Sequence, residues 1–352
     1  MSKRWKSPLQ GLALLSLLLV SGGNALAKEK LVFLTWSEYL DPELVQAFEQ
    51  QFEAEIDFVY FETDDHRTDM LVETGSQGGY DLILTSGNDL RSYLKRGWIA
   101  PLDGAAVPNL KHVEMPFEDQ FSHATGYGVP YSWGTVGIVY RSDLVKEPVT
   151  RWMQFYRPDP ELKGKIIAVD AQADMIGMGL KSLGYSANET DRKALAEVEQ
   201  LLVAQKPFIK DYSYVALSEE STLVTGETAM AMIYSGDALM LQEHSENIAY
   251  VIPEEGTSLW VDYLVVSRSA PNQRLAWAFI NFLNEPVNAA QHAEYLYAPT
   301  CNKAAEKLLP AELLEDPQIY PDPATLVKSE AYKRLPPRVA KRRNEIFSRM
   351  VD

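Results

Sequence analysis

Cysteine is nearly absent from this chain of 352 residues, since Cys301 is the only one. A single thiol cannot form a disulfide within the chain, and it cannot build the cysteine clusters that hold structural zinc. The five histidines are scattered, without the H-x-x-x-H spacing of a metal site. We therefore expect no internal disulfide and no metal ion.

Long apolar runs are missing as well. The run at 12–20 is shorter than the roughly 20 residues needed to span a bilayer. Basic residues precede it and Ala-Leu-Ala follows at 25–27, which is the pattern of a secretory signal peptide. We predict cleavage after Ala27, and because Lys28 offers no thiol for a lipid anchor, we expect a soluble protein. A large exported domain without disulfides suits a bacterial periplasm.

Positive charge is scarce. The chain has 33 basic and 49 acidic residues, and three of the basic ones lie in the leader, so the exported chain has a net charge of −19. This balance argues against nucleic-acid binding, which needs a basic face. It is compatible with a cationic ligand, although acidity on its own more often serves solubility.

Catalytic motifs are lacking too. The sequence contains no G-x-S-x-G nucleophile elbow and no glycine-rich phosphate-binding loop. Residues 64–66, Asp-Asp-His, are interpreted as a solvated charged loop rather than as ligands. The sequence therefore disfavours an enzyme, and we expect no cofactor.

The residues that are present indicate an α/β protein with two lobes. Removing the leader leaves 325 residues, which is more than a single hydrophobic core usually accommodates. Runs rich in β-formers alternate with helical spacing, and this alternation predicts a parallel sheet covered by helices. The predicted strands are 30–35, 56–61, 80–85, 166–169 and 229–234, and the clearest predicted helices begin at Asp41-Pro42 or span 188–205 and 275–283.

The strand ends predict where a ligand would bind. In open sheets of this kind, ligands bind beyond the carboxyl ends of the strands. The turn at 36–39 follows the first predicted strand and the turn at 86–88 follows the third, so both are predicted to lie at one mouth. Because no flexible linker separates the two halves, we expect several chain crossings between them, as in hinge-closing binding proteins.

Four segments carry a family resemblance. The segments 35–39, 80–86, 129–135 and 259–262 resemble the periplasmic spermidine/putrescine-binding proteins of bacterial uptake systems, in their order and separations along nearly the whole exported chain. The resemblance implies an α/β fold of the periplasmic binding protein type, in which a ligand cleft lies between two lobes joined by hinge crossings. It also implies a polyamine ligand and an inner-membrane ABC permease as partner, and we expect a monomer.

Each implied lobe combines two parts of the chain. Lobe one comprises residues 28–136 and 260–304, and lobe two comprises residues 137–259 and 305–352. The predicted signal peptide, residues 1–27, belongs to neither lobe.

The resemblance further implies a set of ligand-binding residues. They are Trp36, Ser37, Tyr39, Ser86, Asp174, Tyr234, Trp260, Asp262, Tyr297 and Tyr332. A polyamine is an alkyl chain with several ammonium groups, so aromatic faces suit its methylenes and carboxylates suit its charges. The segments 36–39 and 260–262 each place an aromatic ring close to an acid, which favours the same interpretation.

Some positions depart from the family's aromatic and polar pattern. Tyr234 stands where tryptophan is common, so a ring remains but a hydroxyl is added. Asn88 stands where an aromatic residue is expected, which removes one ring from the wall. Tyr332 stands where glutamine is expected. These departures leave the preferred polyamine open.

The acids depart from the pattern as well. Asp174 aligns with the family's second acid, whereas the first aligns with Ala171 unless a shift of one residue places Asp170 there. Two carboxylates, Asp174 and Asp262, remain available on either side of the cleft. We therefore expect triamines such as spermidine or norspermidine to bind more tightly than putrescine.

These residues also have structural alternatives. Trp36 and Tyr234 would fit the core of a lobe equally well. Asp174 precedes helical spacing and would suit a helix N-cap. Asp262 could instead cap a turn or pair with an arginine, and the neighbouring Glu38 is expected to point to solvent or to the hinge.

Four functions follow from this pattern. The protein could capture a polyamine for an ABC transporter, or it could be a polyamine (norspermidine/spermidine) sensor that passes the ligand-bound state to a membrane signalling receptor. Enzymatic action in the same cleft is disfavoured by the missing motifs. Ferric-ion capture by Tyr234 and Tyr297 is the fourth possibility, but the nearby Trp260 and Asp262 suit an organic cation better.

Overall fold

The protein is described by a computed structural model over residues 28–75 and 78–351, so the predicted signal peptide lies outside the described residues. Within them the chain forms nine strands: β1 (Glu29–Thr35), β2 (Ala54–Tyr60), β3 (Leu82–Ser86), β4 (Val129–Arg141), β5 (Ile166–Ala168), β6 (Ile209–Tyr212), β7 (Met230–Tyr234), β8 (Ile248–Val251) and β9 (Leu259–Val266). These nine strands form one sheet.

The same described residues form fourteen α-helices. They are α1 (Pro42–Phe52), α2 (Asp64–Thr74), α3 (Gly87–Arg96), α4 (Glu118–Phe121), α5 (Trp152–Tyr156), α6 (Gln172–Ser182), α7 (Arg192–Gln205), α8 (Thr222–Thr225), α9 (Ser235–His244), α10 (Gln273–Leu283), α11 (Pro286–Leu296), α12 (Ala311–Leu314), α13 (Pro323–Lys328) and α14 (Pro337–Val351). None of them has both the length and the apolar character that crossing a membrane requires.

The sheet combines parallel and antiparallel pairing. Its strand order is β2-β1-β3-β9-β4-β7-β5-β6, and β8 also pairs with β4. β1 runs parallel to β2 and β3, as the alternation of strands and helices predicted, and β5 runs parallel to β6 and β7. β9 is antiparallel to β3 and β4, which the sequence pattern did not predict.

Strand β4 joins two halves of the sheet. Its residues 129–135 pair with β9, whereas its residues 136–141 pair with β7 and β8. The strand therefore changes partners halfway along its length, and the sheet is divided into one half built on β1 to β3 and another built on β5 to β7.

Separate groups of buried side chains fill the two halves. In the first half, Phe279 packs edge to face on Phe33 and Phe48, with ring centroids 6.0 and 4.7 Å away. In the second half, Trp152 is fully buried and its indole N–H donates to the carbonyl of Gly256 at 2.8 Å. The protein thus has an α/β fold with two lobes, as expected.

Local capping decides where the helices begin. The Asp41 side chain accepts from the N–H of Glu43 at 2.8 Å, so α1 starts at Pro42 as predicted. The Asp191 side chain accepts from the N–H groups of Lys193 and Ala194, so α7 starts at Arg192 and the predicted start at 188 was wrong. The other predicted strands and helices are confirmed to within about two residues.

Candidate functional site

The carboxyl ends of β1, β2 and β3 lie at one edge of the sheet. Trp36 follows β1, and Phe61 follows β2 with its N–H donating to the carbonyl of Thr35 at 3.2 Å. Ser86 ends β3 and pairs in register with Asp262 of the antiparallel β9. The sequence placed Trp36 and Ser86 at one mouth, and the sheet now adds Asp262 to that mouth.

Asp262 is the first acid of the site. The Tyr39 hydroxyl donates to Asp262 Oδ2 at 3.1 Å, and the Tyr131 hydroxyl donates to the Tyr39 carbonyl at 2.7 Å. Burial and the negative charge of Asp64 together raise the pKa of Asp262 to about 7, although the charge of Arg67 and the Tyr39 hydrogen bond act to lower it. Neither predicted structural alternative, a turn cap or an ion pair with arginine, accounts for this carboxyl, because its hydrogen bond comes from a tyrosine.

Asp174 is the second acid. It lies in the first turn of α6, where Tyr332 donates to its Oδ1 at 2.8 Å and Tyr234 donates to its Oδ2 at 3.2 Å. The N-cap of α6 is Ala171, so the N-cap alternative for Asp174 was wrong. The side chain is 6% exposed, and this burial raises its pKa to about 6 although both tyrosine donors act to lower it.

A glycine on α6 makes room for Tyr332. A Cβ atom added at Gly177 would lie only 2.7 Å from the ring of Tyr332. The residue expected from the family at position 332 is glutamine, but a tyrosine hydroxyl supplies a hydrogen-bond donor just as an amide would. The departure at Tyr332 therefore keeps a donor on Asp174 and adds a ring.

Aromatic rings connect the two acids. The ring of Trp260 meets that of Tyr234 edge to face, with centroids 6.0 Å apart. Trp260 and Asp262 are two residues apart on β9, so their side chains share one face of the sheet. Gly134 pairs with Trp260, and a Cβ there would lie 2.5 Å from the indole. Tyr234 packs against the hydrophobic core of the second half and also contacts Trp260 and Asp174, so it combines the two predicted positions.

Sequence reasoning missed Tyr214 and Asp237. The ring of Tyr214 stacks on Tyr234 with centroids 5.8 Å apart, and its hydroxyl donates to the carboxylate of Asp237 in the first turn of α9. Burial raises the pKa of Asp237 to about 6. Both residues follow the carboxyl end of a strand, β6 and β7 respectively, so the rule that selected Ser86 could have found them.

Asp64 was interpreted only as part of a solvated loop. Its side chain is 50% exposed, yet its charge raises the pKa values of both Asp174 and Asp262. Position 64 is the first residue of α2, which follows β2 at the same sheet edge as Trp36. The interpretation therefore described its exposure correctly, but the predicted loop was wrong, because residues 64–66 form the first turn of α2.

Among the described residues, the other predicted site residues Trp36, Ser37 and Tyr297 make no hydrogen bond to either acid. Ser37 is exposed, and Trp36 packs on Phe61 with ring centroids 4.4 Å apart. The hydroxyl of Tyr297, at the end of α11, donates to the Glu243 carboxylate on α9. Tyr234 donates to a different acid, so the two tyrosines do not share partners as a ferric site would require.

Three further residues considered in the sequence analysis are exposed to solvent. Asn88 is exposed, and Asp170, the possible replacement for the acid at Ala171, is exposed at the end of β5. Glu38 is exposed as expected, and its backbone carbonyl accepts from the Tyr295 hydroxyl at 3.5 Å.

The site carries negative charge without a basic partner at its two acids. Among the residues that the structure describes, no ion pair includes Asp174 or Asp262. Tyrosine hydroxyls donate hydrogen bonds to these carboxylates but do not neutralise their negative charge. Such an arrangement favours an organic cation with apolar parts, because rings and acids alternate along it.

Fold and site together define a two-lobed binding protein. The family model of the bacterial extracellular solute-binding proteins matches residues 43–321. The spermidine/putrescine-binding periplasmic protein of Escherichia coli K12 is 30% identical over 334 residues, which cover 93% of each chain. The chain therefore belongs to the bacterial extracellular solute-binding proteins, in the same family as the periplasmic spermidine/putrescine-binding proteins.

Further relatives agree with this assignment. A putrescine/cadaverine-binding protein of Pseudomonas aeruginosa PAO1 is 26% identical over 352 residues, covering 97% of this chain and 98% of the relative. The crystal structure of the substrate-binding protein PotD of a spermidine/putrescine ABC transporter from Streptococcus pneumoniae superposes with a TM-score of 0.80 at 31% identity, covering 92% of this chain and 98% of that one. The protein is a periplasmic solute-binding protein and not an enzyme.

Proposed function

We propose that the cleft binds a spermidine-like triamine and that the protein delivers it to an inner-membrane ABC permease. The observation that carries the proposal is the pair of acids, Asp262 and Asp174, each held by tyrosine hydroxyls. Burial disfavours their charged form, and an ammonium group that pairs with each carboxylate offsets this cost. Two acids at separate points suit a ligand with ammonium groups at both ends.

The aromatic side chains suit the alkyl part of such a ligand. Trp260 and Tyr234 meet edge to face between the acids, and Tyr214 extends the wall beyond Tyr234. Their faces can cover methylene groups and make cation–π contacts with an adjacent ammonium, each worth about 0.5–2 kcal/mol. This supports a polyamine over an inorganic cation.

The proposed ligand-binding residues keep those implied by the resemblance. They are Trp36, Ser37, Tyr39, Ser86, Asp174, Tyr234, Trp260, Asp262, Tyr297 and Tyr332. We add Tyr214 and Asp237, which lie beside Tyr234 at the ends of β6 and β7. Within this set, Asp262 and Asp174 hold the two terminal ammonium groups.

The relatives support the ligand class and leave the individual amine open. The E. coli protein is named for spermidine and putrescine, and the P. aeruginosa protein for putrescine and cadaverine. The preference for a triamine rests on this chain's own rings and acids, which offer more contacts than a diamine can use.

We also propose the lobe boundaries 28–136 with 260–304 and 137–259 with 305–352. The change of partners within β4, between Thr135 and Val136, supports the first boundary. The packing of Ile346 and Met350 against the core of α6 and α7 supports placing the C-terminal helix in lobe two. A monomer with these lobes can close around a ligand that both lobes contact.

Isothermal titration of the purified protein tests the proposal. The panel contains putrescine, cadaverine, spermidine and norspermidine, and an uncharged diol of similar length serves as control. Spermidine and norspermidine are expected to bind more tightly than both diamines, and the diol is expected not to bind. Failure of every polyamine to bind would contradict the function, and putrescine binding ahead of both triamines would contradict the triamine preference.

A deletion strain separates transport from signalling. Loss of labelled triamine uptake supports delivery to a permease. Normal uptake combined with altered polyamine signalling would instead support the alternative, in which the ligand-bound protein acts on a membrane receptor.

A further inference from the structure

Arg67 is a buried arginine beside the cleft. It lies one turn along α2 from Asp64 and its side chain is 1% exposed. Its guanidinium donates to Asp64 Oδ1 at 2.6 Å and to Asp89 Oδ2 at 2.5 Å, and its Nε donates to the Tyr93 hydroxyl at 3.0 Å. One guanidinium therefore fixes two carboxylates from α2 and α3.

The surroundings of Arg67 connect it to two proposed ligand-binding residues. Its Cζ lies 5.0 Å from the centroid of the Phe61 ring, and that ring packs on Trp36. Asp89 also accepts a hydrogen bond from the Ser86 hydroxyl at 3.3 Å. Arg67 thus supports the lobe-one wall from behind, although packing alone could be provided by an apolar residue at lower desolvation cost.

Arg67 leaves one oxygen of Asp64 available. Only Oδ1 of Asp64 is bonded to the guanidinium, and within the described residues no hydrogen bond reaches Oδ2. The carboxylate is half exposed at the sheet edge that carries Trp36 and Ser86. Arg67 also bonds Asp89, which accepts from the Ser86 hydroxyl, and Ser86 pairs in register with Asp262, so these contacts place Asp64 on the lobe-one side of the cleft. The charge of Asp64 also raises the pKa values of Asp262 and Asp174.

We propose that Asp64, oriented by Arg67, is a specificity-determining carboxylate that pairs with the central ammonium of a triamine. The inference rests on the proposed function and deepens it. A triamine carries a secondary ammonium between its terminal groups, whereas putrescine carries only methylenes there. Asp64 therefore distinguishes a triamine from a diamine, and Arg67 is its positioning residue.

The test compares Asp64→Asn with the matched control Asp65→Asn by titration with norspermidine and putrescine. Both variants lose one negative charge in the same exposed turn of α2, but Asp65 is not among the charges that act on Asp174 or Asp262. Asp64→Asn is expected to weaken norspermidine binding about tenfold and to change putrescine binding less than about threefold. Asp65→Asn is expected to leave the ratio of the two affinities unchanged.

The ratio of norspermidine affinity to putrescine affinity in Arg67→Lys tests whether Arg67 positions Asp64. An ammonium cannot bridge Asp64 and Asp89 as the planar guanidinium does, so the preference for norspermidine is expected to fall. Asp64→Glu keeps the carboxylate and is expected to retain part of the preference. If Arg67→Lys does not fold, the Asp64 variants decide the matter.

The outcomes separate this inference from the proposed function. An unchanged affinity ratio in Asp64→Asn, or an equal loss in Asp65→Asn, would overturn the role of Asp64 while leaving triamine binding intact. A wild-type protein that binds neither amine would overturn the proposed function itself, and this inference with it.

Discussion

The hydroxyl of Tyr39 donates to Asp262 Oδ2 across 3.1 Å and so joins two residues that are 223 positions apart in the chain. Tyr39 follows β1, and Asp262 lies on β9, which is inserted antiparallel beside β3. The bond exists because the sheet brings a late strand back between early ones. This hydrogen bond gives the Asp262 carboxylate, at the mouth of the cleft, an uncharged donor.

Removing the charge of Asp262 is expected to abolish tight binding. Asp262→Asn should cost about 2–5 kcal/mol in polyamine affinity, because an ammonium in the cleft loses its partner. Titration calorimetry measures the loss. The unliganded variant is expected to unfold at no lower temperature than wild type at about pH 8, since a carboxylate whose pKa is raised by folding destabilises the folded state above that pKa. Unchanged affinity would remove Asp262 from the site.

Binding is expected to release protons. In the free protein the pKa values of Asp262 and Asp174 are raised to about 7 and about 6, and a bound ammonium lowers both. Affinity should therefore be fully present at about pH 8 and should fall as the pH drops through 7 and 6. Calorimetry at about pH 6.5 in buffers of different ionisation enthalpy measures the released protons. Proton uptake, or affinity that rises on acidification, contradicts the assignment.

The ring of Tyr234 is expected to contribute more than its hydroxyl. Tyr234→Ala removes the ring that contacts Trp260 and Tyr214, and should weaken spermidine binding about tenfold or more. Tyr234→Phe keeps the ring and removes one donor from Asp174, so its loss should be several times smaller. Equal losses in the two variants would show that the hydroxyl alone matters.

A larger side chain at position 177 is expected to displace Tyr332 and so to weaken polyamine binding. In Gly177→Ala the added methyl group would lie 2.7 Å from the Tyr332 ring, so the tyrosine must shift relative to Asp174. Spermidine affinity should fall measurably by calorimetry. The control Gly104→Ala places its methyl group in open space and should bind as wild type does. A Gly177→Ala protein with wild-type affinity would separate Tyr332 from the ligand.

The helices and strands of the two lobes could be predicted from the sequence because the residues that specify each of them lie within or beside it. The Asp41-Pro42 cap and the run of β-forming residues in β1 lie within a few residues of the structures they specify. The position of β9 between β3 and β4 could not be predicted in this way, because antiparallel insertion of a late strand depends on contacts across more than a hundred residues.

The candidate site was predictable to a similar extent. Strand ends and the family resemblance selected Asp174 and Asp262, which the structure places among tyrosine donors. The role that we propose for Asp64 could not be predicted, because an Asp-Asp-His turn has the composition of any solvated loop. That proposal depends on the buried Arg67 and on its bonds to Asp64 and Asp89, which bring α2 and α3 together.

A crystal structure of the protein with norspermidine would show directly whether the two acids hold the ligand. We expect one ligand molecule in the cleft, with a terminal nitrogen within hydrogen-bond distance of Asp262, the other within that distance of Asp174, and methylenes against Trp260 and Tyr234. A ligand bound outside the cleft, or one that contacts neither acid, would contradict this expectation.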